Sequence, residues 1–224
     1  MDLTKSIDYF NPLDVNGRCH IIGCGSVGST VASLLARAGV TKITLYDFDV
    51  VSSHNIANQM FSAADIGKNK TDSVKELICS INPEAKPDVS IKNNGWKPGT
   101  NLSGYVFLCV DNIETRKKIA EENKFNQSIK VMFDFRTRLE EAQHYATEWS
   151  SLDEIENFIK SMDFTQEEAV ALNPVTACNV EIGVAPTVWI ICSYGVSNFM
   201  NYIRKKDIKK LIVADAFNFS LLAI

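Results

Sequence analysis

A chain of 224 residues is long enough to bury a core and short enough for one α/β sheet, so we expect a single domain over residues 1–224. With 46% hydrophobic and 22% charged residues, its composition is that of a folded globular protein and excludes a disordered chain. The net charge of -4 argues against the basic surface that nucleic acid requires, so we expect no nucleic-acid partner.

The amino terminus and the cysteines indicate where the protein resides. Residues 1–12 contain two Asp and no apolar run of signal-peptide length, so we expect no secretion signal and a cytoplasmic location. The six cysteines are scattered and form no CxxC pair. This pattern predicts reduced, mainly buried thiols and no structural zinc site.

The first elements in chain order predict a βαβ unit around a glycine loop. A short strand over 18–22 leads into GCGSVG, a helix follows over 26–38, and KITLYD at 42–47 predicts a second strand. In such a GxGxxG loop the glycines allow a tight turn, a close approach of backbone to phosphate and close packing of helix on strand. The motif alone fits NAD, FAD or S-adenosylmethionine as well as ATP. The residues predicted to bind the nucleotide are Gly23, Gly25, Ser26 and Gly28.

Two aspartates at the end of the second predicted strand are candidate ribose ligands. Asp47 occupies the position from which a carboxylate accepts hydrogen bonds from ribose hydroxyls, and Asp49 is a nearby alternative. Neither residue separates NAD from ATP, because both ligands present the same adenosine.

The central part of the chain continues the alternation of strands and helices. Apolar spacing predicts a helix over 70–81, ended by an Asn-Pro pair, and a charged amphipathic helix over 113–125. Continuous apolar runs at 104–110 and 129–135 predict strands. The fold class is therefore α/β, a Rossmann-like, doubly wound and mostly parallel sheet.

The last third of the chain predicts helices outside the sheet and additional edge strands. Two short acidic helices are expected over 151–162 and 165–172. The uncharged run 182–203 is long enough to span a bilayer, but its Gly, Pro, Ser and Asn residues favour a helix buried in protein, so we expect no membrane partner. LIVADAF and NFSLLAI predict two C-terminal edge strands, which an antiparallel arrangement would suit.

Four segments after the glycine loop resemble one family. DFDVVSSHNIANQMF, DIGKNK, INPEA and CVDN occur in the order and spacing of the ThiF, MoeB and HesA adenylyltransferases. With GCGSVG the resemblance covers residues 15–205 and is far more specific than one glycine motif.

The resemblance implies a reaction, its ligands and its partners. The C-terminal carboxylate of a ubiquitin-fold or sulfur-carrier protein attacks the α-phosphate of ATP and yields an acyl adenylate and pyrophosphate, in some members followed by transfer to a cysteine. It also implies Mg²⁺ and a homodimer. By motif match, Lys70 contacts the phosphates, Asp111 holds or positions Mg²⁺, Asp47 holds the ribose, and Asn55 and Gln59 line the phosphate side.

Simpler structural roles compete with two of these assignments. Lys70 would otherwise be an exposed lysine at a helix start, where a cation opposes the helix dipole. Asp111 would otherwise be the N-cap of the helix that begins at Ile113, and this role is compatible with metal binding.

The chain departs from the family pattern at one cationic position. The family carries an arginine before the glutamine of its NLxRQ motif, where this chain has Asn58, which is predicted to bind the nucleotide as a hydrogen-bond donor without charge. An amino-terminal arginine is not evident before Arg18. Arg136 or Arg138 of FDFRTR is the candidate substitute, with a pair of surface arginines as the alternative.

Two further residues have open roles. Arg116 follows CVDN where relatives often have a basic residue, but its charged neighbours predict a solvated helix face. Cys178 precedes the long apolar helix, where a helix N-terminus would activate a thiol, and it is equally well explained as a small buried residue.

Three functions therefore remain open on the sequence. The first is the adenylyltransferase, and the second is a nucleotide-binding partner subunit that lacks chemistry because Asn58 is uncharged. The third, an NAD-dependent oxidoreductase, leaves the NQ, GKNK and CVDN segments unexplained.

Overall fold

The computed structural model describes residues 1–171 and 183–224, and its centre is an eight-stranded mixed sheet. The strand order is β3-β2-β1-β4-β5-β6-β7-β8. The strands are β1 (Cys19–Ile22), β2 (Ile43–Tyr46), β3 (Ser90–Lys92), β4 (Gly104–Leu108), β5 (Ile129–Thr137), β6 (Glu141–Glu148), β7 (Leu211–Asp215) and β8 (Ser220–Ala223). The described helices are α1 (Ser26–Arg37), α2 (Lys70–Ile81), α3 (Ile113–Glu122), α4 (Leu152–Lys160), α5 (Gln166–Ala171) and α6 (Ala185–Lys205).

The sheet has a parallel half and an antiparallel half. Strands β1 to β5 pair in parallel, and β5 to β8 pair as antiparallel neighbours. The Rossmann-like, mostly parallel sheet with C-terminal edge strands is therefore confirmed. The parallel strands β1, β2 and β4 are buried at every position, because helices cover both faces of this half.

Two apolar layers lie on opposite faces of the sheet. Successive residues of a strand point alternately into one layer and the other. Ile21 and Phe107 belong to the first layer, and Ile22 and Val106 belong to the second. Helices α1, α2 and α6 contribute to the first layer, while α3 and α4 contribute to the second. The doubly wound arrangement leaves the carboxyl ends of β1, β2 and β4 open at one edge, where such folds bind ligands.

The apolar run near residue 190 is a helix packed on the sheet, as predicted. Gly195 lets α6 approach β5 closely, since a Cβ atom there would lie 2.2 Å from the Phe135 ring. The outward face is not buried, with Trp189 48% exposed. Among the helices in the described ranges, none combines the length and apolar character that a membrane span requires.

Two strands were not predicted from the sequence. β3 has only three residues, and its side chains are largely exposed. β6 largely alternates buried and partly exposed positions, but its inward-facing residues include Ala142, His144 and Ala146, which form no apolar run.

Candidate nucleotide-binding site

A cavity of about 240 Å³ opens at the carboxyl ends of β1, β2 and β4. Parallel strands that end together bring residues distant in sequence to one place. The predicted site residues that line this cavity are Gly23, Gly25, Ser26, Asp47, Asp49, Gln59, Lys70 and Asp111.

The three glycines of the loop have separable roles. Gly23 has φ +94° and a Cβ there would lie 2.7 Å from the Cys109 carbonyl carbon, while a Cβ on Gly28 would lie 1.9 Å from the Gly23 oxygen. A Cβ on Gly25 would approach nothing closer than 4.0 Å. Gly23 and Gly28 are therefore required for packing, and Gly25 leaves room in the cavity. Gly28 itself does not line it.

The start of α1 offers free backbone amides to the cavity. Gly25 is the N-cap residue and supplies no side-chain hydrogen bond to the first turn. Uncapped first-turn amides and the positive end of the helix dipole favour an anion at this position.

Asp47 is fixed at the end of β2 by the loop backbone. Its carboxylate accepts hydrogen bonds from the amides of Cys24, at 2.6 Å, and Asp49, at 2.8 Å. Burial raises the pKa of Asp47 above its ordinary value, although these hydrogen bonds oppose the shift. The carboxylate is thus held beside the glycine loop, at the place predicted for ribose recognition.

Lys70 and Asp49 form an ion pair inside the cavity. The Lys70 ammonium lies 2.7 Å from Asp49 Oδ2, and its side chain is only 10% exposed. The exposed-lysine alternative is therefore wrong, because α2 begins under the loop that carries Asp49. Of the two candidate ribose ligands, Asp49 is the one engaged by this cation.

The three predicted site residues between β2 and α2 lie in different environments, and only one of them reaches the cavity. Asn55 is buried and its side chain caps the short 3-10 helix Ser53–Ala57 by accepting hydrogen bonds from Ser52. Asn58 donates to the Gly183 oxygen at 3.4 Å. Only Gln59 lines the cavity, where its Oε1 is buried without a partner among the described residues.

Asp111 lies where the nucleotide cavity meets a second cavity. It is exposed and lines both. The N-cap alternative is wrong, because the Asn112 side chain accepts the hydrogen bond from the Thr115 amide at 2.7 Å. Within residues 1–171 and 183–224, no cluster of three or more His, Cys, Asp or Glu residues could hold a metal ion.

The second cavity has a volume of about 260 Å³ and lies against the antiparallel half of the sheet. Cationic, polar and aromatic side chains line it together. They include Arg116, Arg136, Arg138, Gln143, Tyr145 and Phe164.

Arg116 is buried, so its predicted place on a solvated helix face is wrong. Its guanidinium pairs with Asp134 and donates to the backbone oxygens of Val110 and Phe135. Burial alone would raise the pKa of Asp134, but Arg116 and Arg136 outweigh that effect and hold the pKa below its usual range. The sequence showed no sign of this pair, because Asp134 belongs to a different element.

Arg136 is held in the second cavity, so the surface alternative does not describe it. Its Nε donates to Asp134 Oδ2 at 2.6 Å, its two other nitrogens donate to Ser161, and its guanidinium lies 4.2 Å from the centre of the Tyr145 ring. Arg138 is exposed. Neither arginine lines the nucleotide cavity.

The cysteines fit the prediction of buried thiols. Cys19, Cys24, Cys109 and Cys192 are buried, Cys79 is partly exposed, and all five are free. Burial raises the pKa of the Cys24 and Cys109 thiols, which makes them poor nucleophiles. Cys178 lies outside the described residues.

Comparison with known proteins identifies the family. The ThiF family profile matches residues 15–220. The chain is 30% and 31% identical to ubiquitin-like modifier-activating enzyme 5 of Drosophila willistoni and Dictyostelium discoideum, over 44% of this chain in each case. The fold resembles PaaA, with TM-score 0.69 and 17% identity, and E. coli MccB with ATP, with TM-score 0.68 and 18% identity, over 95% of this chain in each case.

These matches extend over only part of the other proteins. The aligned regions cover 28% and 30% of the two enzymes and 65% of each solved structure, so the chain matches less than two thirds of each. The profile match, in contrast, runs through nearly all of this chain and includes the glycine loop, both aspartates after β2, Lys70 and Asp111. The chain belongs to the ThiF family.

Proposed function

We propose that residues 1–224 form one adenylating domain, which uses ATP to activate the C-terminal carboxylate of a ubiquitin-fold or sulfur-carrier protein. The observation that carries this proposal is the junction of two cavities at Asp111, one lined by the glycine loop, Asp47 and Lys70 and the other by arginines. Adenylation requires a nucleotide and a carboxylate to meet, and two adjoining cavities suit that requirement. Membership of the ThiF family supports the same reaction.

The first cavity suits ATP. Asp47 is placed for the ribose hydroxyls, while the α1 amides and Lys70 are placed for phosphate oxygens. Gln59 contributes a side-chain amide whose Oε1 lacks a partner among the described residues, and turned about its last torsion it would present an NH₂ donor to phosphate. The similarity of fold to MccB solved with ATP agrees with this choice.

Asp111 fits a magnesium ion that is held mainly by the nucleotide. Mg²⁺ commonly takes one or two protein carboxylates together with substrate phosphates, and Asp111 is an exposed carboxylate at the junction. Bound there, the ion would neutralise charge that develops on the phosphate oxygens.

The second cavity is the expected entry for the substrate carboxylate. A carboxylate oxygen attacks the α-phosphorus, the bond to the β-phosphate oxygen breaks, and pyrophosphate leaves. The protein positions the reactants and supplies fixed charges. Arg138 is exposed on this cavity and pairs with no carboxylate in the part of the chain that the structure describes, so it can guide the anionic substrate. Arg136, in contrast, is held by Asp134 and Ser161. Arg136 as a direct replacement for the missing arginine remains a prediction.

A nucleotide-binding subunit with weak chemistry is the second candidate. The observation that favours it is that three cations of the two cavities are already paired with carboxylates, Lys70 with Asp49 and both Arg116 and Arg136 with Asp134. Asn58 adds a hydrogen-bond donor but no charge.

The homodimer, the cytoplasmic location and a thioester at Cys178 also remain predictions.

Two measurements test the function. Calorimetric titration with ATP and Mg²⁺ should show binding that is lost in Asp111→Ala, while NADH should not bind. Pyrophosphate exchange into ATP, measured with a panel of ubiquitin-fold proteins that end in Gly-Gly, should then show turnover with at least one of them. Binding of NADH in place of ATP would refute the nucleotide assignment, and ATP binding without exchange would favour the weak subunit.

A further inference from the structure

Trp96 places an unpaired hydrogen-bond donor at the nucleotide cavity. Its indole lines the cavity, and its Nε1–H is buried without an acceptor among the described residues. The buried indole of Trp149, in contrast, donates to the Asn123 oxygen at 2.7 Å. Buried N–H groups in folded proteins are nearly always paired, so the acceptor for Trp96 is expected to come from a ligand.

The backbone fixes this indole beside Asp47. β3 pairs with β2, and the Asp47 amide donates to the Lys92 oxygen at 3.3 Å. The chain then turns back with Gly95 at φ +70°, and the Gly95 amide donates to the same oxygen at 3.1 Å. The Trp96 ring packs against the apolar layer that contains Tyr46, which holds it in place.

Phe48 supplies an aromatic face at the same end of the cavity. It follows Asp47 directly, lines the cavity and is 76% exposed, so its ring is free to turn. A Cβ built on Gly95 would lie 3.0 Å from Phe48 Cδ1, so the Phe48 ring rests against the turn that leads to Trp96. When Asp47 holds the ribose, the base attached to that ribose falls beside these two aromatic residues.

We propose that Trp96 is a specificity-determining residue for the nucleobase. Its Nε1–H donates to a ring nitrogen of adenine, while Phe48 swings aside and packs on the face of the base. An indole N–H is a donor only, so a base that presents its own N–H at this place is disfavoured. This inference rests on the proposed function, because that function makes ATP the ligand.

The test removes the donor from the protein and the acceptors from the base in turn. Trp96→Phe keeps an aromatic ring and deletes only the indole N–H with its second ring. Calorimetric titrations with ATP, 1-deaza-ATP, 3-deaza-ATP and 7-deaza-ATP are run on the unchanged protein and on this variant. Trp189→Phe, on the outward face of α6, is the matched control, because Trp189 does not line the cavity.

The expected result is that the effect of Trp96→Phe depends on one ring nitrogen of the base. The unchanged protein and Trp189→Phe bind one deaza analogue about fivefold more weakly than ATP, whereas Trp96→Phe binds that analogue and ATP equally. A merely structural effect of Trp96→Phe would weaken all four nucleotides alike and leave their order unchanged, which overturns the proposal. Failure of the unchanged protein to bind ATP would instead overturn the proposed function, so the two failures are distinguishable.

Discussion

At the scale of single residues, the lysine that lines the nucleotide cavity is already paired with a carboxylate. Lys70 is buried against Asp49 at 2.7 Å, so a triphosphate must compete with that carboxylate for the ammonium. Asp49 is half exposed, so its carboxylate is hydrated again when it releases Lys70. The exchange of Asp49 for phosphate is therefore energetically possible. Asp49 thus holds Lys70 at the cavity while weakening its attraction for phosphate.

Asp49→Asn should therefore tighten ATP binding by about threefold and leave adenosine binding unchanged, because the substitution frees a cation and removes one anion near the phosphates. Calorimetric titration with each ligand measures both effects. If Asp49 instead held the ribose, adenosine binding would weaken. Asp47→Asn is the matched variant, and it should weaken both ligands.

A second residue-scale prediction concerns the missing arginine. Asn58 is partly exposed and its side chain makes one long hydrogen bond to the Gly183 oxygen, so replacing it disturbs little. Asn58→Arg should raise pyrophosphate exchange at least tenfold, because one preorganised donor at the phosphates is worth roughly 3 kcal/mol in a transition state. Asn58→Gln, which adds length without charge, serves as the control. Equal rates in both variants would mean that the lost charge is not what limits catalysis.

Arg116 shows where residue-level sequence reasoning fails. Its neighbours Glu114, Lys117 and Lys118 are the pattern of a solvated helix, and nothing in that local window identifies the buried Asp134. The partner belongs to β5, and only the packing of α3 against the sheet brings the two charges together. The motif that contains Lys70 carries information about a site and not only about a helix face, and Lys70 lies in the nucleotide cavity. Its contact with phosphate stays a prediction.

At the scale of elements, the helices and strands with a strong local sequence pattern were predicted, and those with a weak pattern were not. The helix over 70–81 has the predicted bounds, because apolar spacing defines it and Asn-Pro ends it. The exposed three-residue β3 and the small inward side chains of β6 carried little signal, so both were missed. Site residues were missed with these strands, because β3 positions Trp96 and β6 supplies Gln143 and Tyr145 to the second cavity.

The junction of β1 and α1 yields an element-scale prediction that separates folding from binding. A Cβ on Gly28 collides with the Gly23 oxygen, so Gly28→Ala should lower the free energy of unfolding by about 3 kcal/mol as helix and strand are pushed apart. Gly25→Ala adds the same methyl group in open space and should cost about 1 kcal/mol or less, but it should weaken ATP binding by about tenfold because the methyl group enters the cavity. Urea unfolding and calorimetry of both variants check the contrast, which an equal loss of stability would contradict.

At the scale of the whole molecule, the sheet order explains why the site could be predicted in part. Loop residues from β1, β2 and β4 meet because these strands are neighbours with parallel direction, and that much follows from the alternating pattern. The second cavity depends on β5 pairing with β6 and on α4 lying beside them, and no motif encodes this arrangement. Its lining could not be foreseen beyond the arginines of FDFRTR.

The whole fold should also lose stability in mild acid, because it buries two histidines on different strands. Burial lowers the pKa of His20 on β1 and of His144 on β6 to about 4. His20 contacts the Tyr46 hydroxyl at 2.9 Å and His144 contacts the Asn198 amide at 3.2 Å, so both rings are held within the packed fold. In the unfolded chain each imidazole titrates near its ordinary pKa of about 6.5.

Between pH 6.5 and pH 4 the unfolded chain binds more protons than the folded one. The free energy of unfolding therefore falls as the pH drops through this range. Above pH 6.5 these two histidines do not affect it. Each histidine should remove about 2 kcal/mol at pH 5 relative to pH 7.5, measured by urea unfolding. His144→Gln should remove about half of this pH dependence, whereas His54→Gln, at an exposed position, should leave it intact. Equal stability of the unchanged protein at pH 7.5 and pH 5 would show that the buried imidazoles accept protons in the folded state, and that the packing around β1 and β6 opens to admit them.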